Sequence, residues 1–532
     1  IGGLAGDALN SGVRTVAVGY NAGGGITTGD SNVAIGYQAL MTEDAHSNNT
    51  AIGASALQTQ NAGAHAYNTA VGFEAGKGLT DGVYNVAVGA TALDATVTGD
   101  ENTSVGYQSM STSTSGSDNV AVGAGALYSN TTSNYQTALG YQALYDSITT
   151  SVDADPYNTA VGYKAGYANT TGTRNTVVGG LAFDSNLTGH YNTAVGMQAL
   201  QTEQDGDFTT AVGYQALFTQ NSDAAGQDVI NTAVGAGAGY GLTTGIQNTL
   251  IGGNCGYGTI TGDKNTAVGM DAFKANTSGY NNVVMGHNAF TANQGGYSNV
   301  AIGATAADGA TGTNGGVYVG YDAGGGLTTA DNNVFIGYSA GNSGVATQDG
   351  DNNICIGFGT GTSATGSQNQ IVLGVSINGG EDSQFRFGKA SNTVSNEFDT
   401  DAAWTRASDE RLKTNINDAV LGLDFVNDLR PVTYQWKASQ DLDSSDTQLE
   451  KLYNPDENLM NTDVVMHGLI AQEVKAALDT ADVDTFKGWS QDSDGVQNIS
   501  REMFVIPLIK AVQELSATVE TLQAEIELLK GE

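Results

Sequence analysis

From Arg14 to Gly374 one short pattern of apolar and polar positions recurs along the chain. A β-branched residue, a middle residue that is mostly alanine and an apolar residue stand in a row and are closed by glycine, as in Val33-Ala34-Ile35-Gly36 and Thr193-Ala194-Val195-Gly196. The unit occurs 21 times, anchored on glycines from Gly19 to Gly374; 16 of the 20 steps are 17 residues, the others 19, 20, 22 and 22. Period-two alternation with β-branched residues predicts a short strand in each unit. A period held this closely predicts stacked units, none of which can bury its apolar face alone.

Other positions of the unit carry their own chemistry. Asparagine usually stands four residues before the glycine (Asn32, Asn49, Asn68, Asn85), where one amide per turn can form a ladder. The glycine permits a bend closed to other residues. Alanine recurs three residues after it (Ala39, Ala56, Ala75), and the remainder is turn chemistry such as Thr-Gly-Asp. The expected fold class is mainly β: a parallel β-roll or β-helix shaft of about 21 repeats over residues 1–378, with about two short strands per turn. At ~4.8 Å per turn the shaft measures ~100 Å. Single Val, Ile and Ala residues are expected inside, too few for a large core. The Ala-rich face is expected to let three coils approach one another as a homotrimer closed by cyclic symmetry.

These Asn-Thr-Ala-Val-Gly phrases resemble the head repeats of trimeric autotransporter adhesins over most of residues 14–374. That resemblance implies a trimeric left-handed parallel β-roll. The units here are longer, which implies longer outer loops.

The pattern stops after Gly374. Residues 379–407 read as a neck, and residues 408–532 have the composition of a small α+β domain. Leu421 to Leu429 reads as a helix, Val432 to Trp436 as a strand, and Gly468 to Val474 as a strand leading into a helix. Val505, Leu508, Val512, Leu515, Val519, Leu522, Ile526 and Leu529 alternate spacings of three and four, so 505–530 reads as a coiled coil. Four blocks then stand in order: Ser408-Asp-Glu-Arg-Leu-Lys413-Thr-Asn-Ile416, Leu429-Arg-Pro-Val-Thr-Tyr-Gln-Trp436, His467-Gly-Leu-Ile-Ala-Gln-Glu-Val474 and the terminal heptads. Together they are similar to the endosialidase-type intramolecular chaperone, the peptidase S74 family. The resemblance implies a domain found at the C-terminus of phage tail fibres and tailspikes. Such a domain trimerises its chain, guides folding of the β-rich part and cuts itself away. It further implies Ser408 as nucleophile, Lys413 as base and Ala407–Ser408 as the scissile bond. A serine hydroxyl needs a base, and a turn across five residues can bring an amine to it. Neighbouring charge such as Arg411 would help keep that amine neutral. His467 and Glu473 read as structural or as positioning the site, the structural reading being preferred.

Charge narrows the partners. The chain holds 55 acidic and 19 basic residues, a net charge of −36, which disfavours nucleic acid and anionic lipid. No run of 18 apolar residues predicts a membrane-spanning helix. The start at Ile1 suggests a processed product or the C-terminal part of something longer, with a missing N-terminal region that would attach to other virion tail proteins. Cys255 and Cys355 lie six repeats apart, ~29 Å at one strand spacing per turn, beyond disulfide reach. Neither cofactor nor metal is expected: the five histidines are scattered, the Asp-containing loops read as turns, and Gly235 to Gly241 stays on the repeat phase. No carboxylate pair suggests glycan hydrolysis. Aromatic residues often follow the glycine (Tyr20, Tyr37, Phe73, Tyr107), covering an apolar seam or contacting glycans. The reading is a homotrimeric phage tail fibre of the virion for host attachment through a cell-surface receptor. Its chaperone would act once in cis as a self-cleaving serine endopeptidase. A bacterial cell-surface trimeric adhesin is the second reading, disfavoured because no outer-membrane anchor strands follow the coil.

Overall fold

Each repeated triplet is a strand in the computed structural model of the protein. Twenty-one such strands run from β1 (Val16–Val18) to β21 (Ile371–Val375), each parallel to its neighbours one repeat away. Register is kept position by position: Val33, Ala34 and Ile35 face Thr50, Ala51 and Ile52. The structure describes residues 1–531 apart from 64, 96, 149–154, 223, 225, 259–260, 343–348, 399–404, 407, 447–448, 450–451, 457, 459, 461 and 494. The chain divides into two units, Ile1–Ala407 and Ser408–Glu532.

The strands face the opposite way from the expectation that Val and Ile fill the coil. The middle residue points inward, and Ala34, Ala51, Ala70 and Ala194 are fully buried. The β-branched and apolar residues on either side face outward in every strand. Space decides this. Inside a turn the middle residue shares the core with Ala39-type and Leu40-type residues of the far limb. It is alanine in most turns, and where it is Tyr318 or Phe335 the Leu40-type position shrinks to glycine, Gly324 or Gly341, so that the core stays close-packed.

That far limb is not a second strand. It is a chain of turns whose residues two and four after the glycine are left-handed, as at Gln38 (φ 55°) and Leu40 (φ 49°). A left-handed bulky residue costs roughly 1–2 kcal/mol. Burial of Leu40 and bonds in both axial directions offset it: Gln38 N–H donates to the Tyr20 carbonyl and Leu40 N–H to the Ala56 carbonyl, both at 2.9 Å. At several turns where the Leu40-type position is glycine, an aliphatic residue three further on fills the space, as in Gly23 with Ile26, Gly239 with Leu242 and Gly324 with Leu327.

Two devices lock the turns together. At the 21 anchoring glycines φ lies between +129° and +154°, and a Cβ would come within 2.5 Å of the next turn's glycine carbonyl oxygen. Only glycine fits. The asparagines form the expected rail, but it binds backbone as well as amide. Asn32 Oδ1 accepts from Asn49 N–H at 2.9 Å, while Asn32 Nδ2 donates to the His46 carbonyl at 2.9 Å. The sheet continues past Gly374: β22 (Gln384–Lys389) pairs in parallel with β21. There the chain reverses into antiparallel β23 (Asn392–Glu397) and β24 (Thr405–Arg406), which ends the parallel stacking.

The second unit is small and mixed. Its order is α1 (Leu423–Asp428), β25 (Val432–Tyr434), β26 (Met466–Gly468), α2 (Ala471–Thr480), β27 (Trp489–Gln491), β28 (Gln497–Ile499) and α3 (Val505–Lys530). Leu421, Phe425, Val474, Leu478 and Phe504 form its core. The Phe486 and Phe504 rings meet edge to face with centroids 5.2 Å apart. Glu514 Oε2 accepts from Leu423 N–H at 2.7 Å, so α3 caps α1, whose own N-cap Gly422 has no side chain. The heptad residues of α3 stay 43–71% exposed, leaving the seam unused within one chain.

Candidate functional site

The Ser408–Lys413 turn is built from its first residues. Asp409 caps a 3₁₀ turn, Glu410–Leu412, by accepting from Arg411 N–H at 2.9 Å. Lys413 N–H then donates to the Glu410 carbonyl at 3.0 Å and closes the turn. The chain thereby doubles back, and Lys413 Nζ stands 2.6 Å from Ser408 Oγ. With a charged lysine the ammonium donates. Loss of a proton reverses the bond, so that the serine hydroxyl donates to the amine, the arrangement a nucleophile needs. Ala407, on the other side of the expected scissile bond, lies outside the described residues, as does Trp404 in the neck.

Arg411 is not free to act on Lys413. Its guanidinium grips Asp409, with Nε at 3.0 and 3.2 Å and the terminal nitrogen at 2.6 Å from the carboxylate oxygens. This pairing holds the Asp409 carboxyl below its usual range. All residues from Ser408 to Val420 are exposed, including Leu412, Ile416 and Val420 at 64–78%. In one chain, water reaches the serine–lysine pair.

His467 and Glu473 have other places. His467 lies in β26 opposite Thr433 of β25. Glu473, in the first turn of α2, pairs with the Arg430 guanidinium, which holds its carboxyl below the usual range. Neither is hydrogen-bonded to Ser408 or Lys413. The Arg430–Glu473 tie joins two of the sequence blocks, and nothing in their spacing signals it.

In the shaft, Cys255 and Cys355 are buried free thiols, both pushed up to about 12 by burial. Among the described residues, no group of three or more His, Cys, Asp and Glu is placed to hold a metal ion. No helix there is long and apolar enough to cross a membrane. The aromatic residues after the glycines stand half exposed, and where they fall on successive turns they stack on each other. Tyr20–Tyr37, Tyr141–Tyr163 and Tyr321–Tyr338 have centroids 5.7, 5.5 and 5.0 Å apart. In each such pair one face of each ring covers the other.

Residues 408–483 match the family described as chaperone of endosialidase, Peptidase S74. No curated protein and no solved structure matches this chain. Its C-terminal region is thus a chaperone-of-endosialidase domain of the Peptidase S74 family, following a parallel β-solenoid shaft of about 21 turns.

Proposed function

We propose that this chain is one of three in a phage tail fibre or tailspike, a virion appendage used for host attachment. Its C-terminal domain would trimerise the chains through the 505–530 coiled coil, guide folding of the shaft, and release itself by autoproteolysis at Ala407–Ser408. One observation carries the reading: a Peptidase S74 domain directly follows a long β-solenoid and opens on a serine 2.6 Å from a lysine amine.

The shaft explains the need for a chaperone. Its turns are near copies, so one chain slipped by a single repeat would still satisfy almost every local contact. Non-local β assembly is also slow and exposes strand edges. A clamp at one end sets the register, after which turns add one by one. The cut then follows from proximity. Neutral Lys413 takes the Ser408 hydroxyl proton, and Oγ attacks the Ala407 carbonyl carbon. The Ser408 nitrogen leaves with that proton, and water hydrolyses the resulting ester to a carboxylate at 407. Because water reaches the pair in a single chain, assembly before cleavage is the order this chemistry favours.

The test is the mass of purified chain under denaturing conditions. Two fragments meeting between 407 and 408, replaced by one full-length species in Ser408→Ala, support the reading. A single uncut species from the native sequence sinks the self-release. A monomer by light scattering under native conditions sinks the fibre.

A further inference from the structure

The outward side of the strands carries a feature that neither the chaperone nor the cut uses. Residues three and one before each anchoring glycine flank the buried middle residue and point out of the coil. At all 42 of these positions, two in each of 21 turns, the residue is Val, Ile, Leu, Met or Thr. The chain as a whole has a net charge of −36, yet no charged or amide side chain enters this band. Adjacent columns behave differently. Two residues after the glycine stand Glu74, Lys164 and Asp271; five before it stand Arg14, Glu101 and Asp118.

The band is open in the single chain. Val178 and Ile251 are 37% exposed and Met285 46%. Over the whole shaft this amounts to on the order of 2,000 Å² per chain, against about 800 Å² per partner in a standard interface and a few hundred Å² for patches on monomers.

We infer that this band is the surface along which copies of this chain meet, so that three shafts turn their strands toward a common axis. The inference rests on the trimeric reading above and names the face that performs it. The occupant is a further copy of the same chain for three reasons. The band runs from Val16 to Leu373 with one level per turn, and only a partner of the same period can follow it. Identical chains bring uncharged rows against uncharged rows and keep the acidic columns outside. An anionic lipid surface is repelled by the rest of the shaft. The alanine side, which by size alone suits close approach, is turned into each coil and cannot serve. The band also varies along the shaft. Three before the glycine, valine and threonine are mixed from Val16 to Val120, every turn from Thr137 to Thr266 carries threonine, and every turn from Val283 to Ile371 carries valine or isoleucine. Contact is therefore most apolar in the turns nearest the C-terminal clamp in sequence, where the zipper would start.

Single cysteines test the face in the full-length chain: Val178→Cys and Val319→Cys within the band, and Gln198→Cys two residues after a glycine as control. The native cysteines are buried, and the unsubstituted chain serves as the blank. Each protein is sized by light scattering, treated with a short bismaleimide, and run under denaturing conditions. The expected result is a three-chain mass throughout, with cross-linked dimers from the two band cysteines and none from Gln198→Cys. A three-chain mass in which band cysteines stay unlinked, or link no better than the control, overturns this face and leaves the trimer standing. A one-chain mass for the unsubstituted protein overturns the trimer itself.

Discussion

Removing one amide from the asparagine rail isolates what it contributes. Asn282 is fully buried. Its Nδ2 donates to the Gly296 carbonyl at 2.8 Å, and its Oδ1 accepts from Asn299 N–H at 3.0 Å. Asn282→Ala leaves both backbone groups unpaired inside the coil. Its own N–H keeps its bond to Asn265 Oδ1 at 3.0 Å. Two orphaned buried groups at about 1–3 kcal/mol each cost about 2–6 kcal/mol, concentrated between two turns. Because each turn touches only its neighbours, the damage should stay local. Amide hydrogen exchange on the full-length chain reads it directly. At a cost near 3 kcal/mol, Asn299 N–H should exchange ~100-fold faster, while turns several repeats away keep their protection. Asn282→Asp refines the result, since it keeps the acceptor for Asn299 N–H and loses the donor to Gly296. Unchanged protection at Asn299 in the alanine variant would refute the claim that the rail binds turn to turn.

Further expectations follow the same logic. Gly252→Ala puts a Cβ 2.4 Å from the Gly269 carbonyl oxygen at φ +136°, and should cost about 3 kcal/mol or more. Limited proteolysis should then cut near that turn. Gly180→Ala, which meets nothing within 4 Å, should resist like the parent, and equal resistance of both variants would contradict the packing argument. Burial pushes the Glu43 carboxyl above its ordinary 4.5, against lowering bonds from His46. A raised acid stabilises the fold below its unfolded value, and that contribution is lost as pH rises through the shifted one. Glu43→Gln, which keeps an acceptor for His46 N–H, should therefore lose less stability than the parent between acid and neutral pH in melting curves. A steeper loss in the variant would reverse the sign of that account. Lys413→Ala should yield only uncut chain with the circular dichroism of the parent, and residual cutting at the native rate would remove Lys413 from the base role. Melted Ser408→Ala chain, still carrying its clamp, should refold where released shaft does not; equal recovery would argue against a kinetic role for the cut.

Much of the shaft was legible in residue order because its causes are local. β-branched triplets make strands, a glycine that tolerates φ near +135° ends each one, and an asparagine four residues earlier recurs at the spacing of a rail. The heptads of α3 and the five-residue gap between Ser408 and Lys413 could likewise be read directly. The closure of that gap could not, since it depends on Asp409 capping a 3₁₀ turn while also holding Arg411.

The triplet pattern alone could not decide which side of the strand is the inside. Alternation says only that Ala34 points away from Val33 and Ile35. The choice belongs to the rest of the turn. In the turn of Ala34 the chain encloses the Ala34 methyl, Ala39 and the larger Leu40, and where the middle residue is itself large, as at Tyr318 and Phe335, the Leu40-type position is glycine (Gly324, Gly341). That volume limit sends the valines and isoleucines outward, and it makes the far limb a row of left-handed turns that can hold Leu40 inside. Sequence set the period and the strand-forming stretches, while the volume enclosed by each closed turn determined which faces were left for another chain.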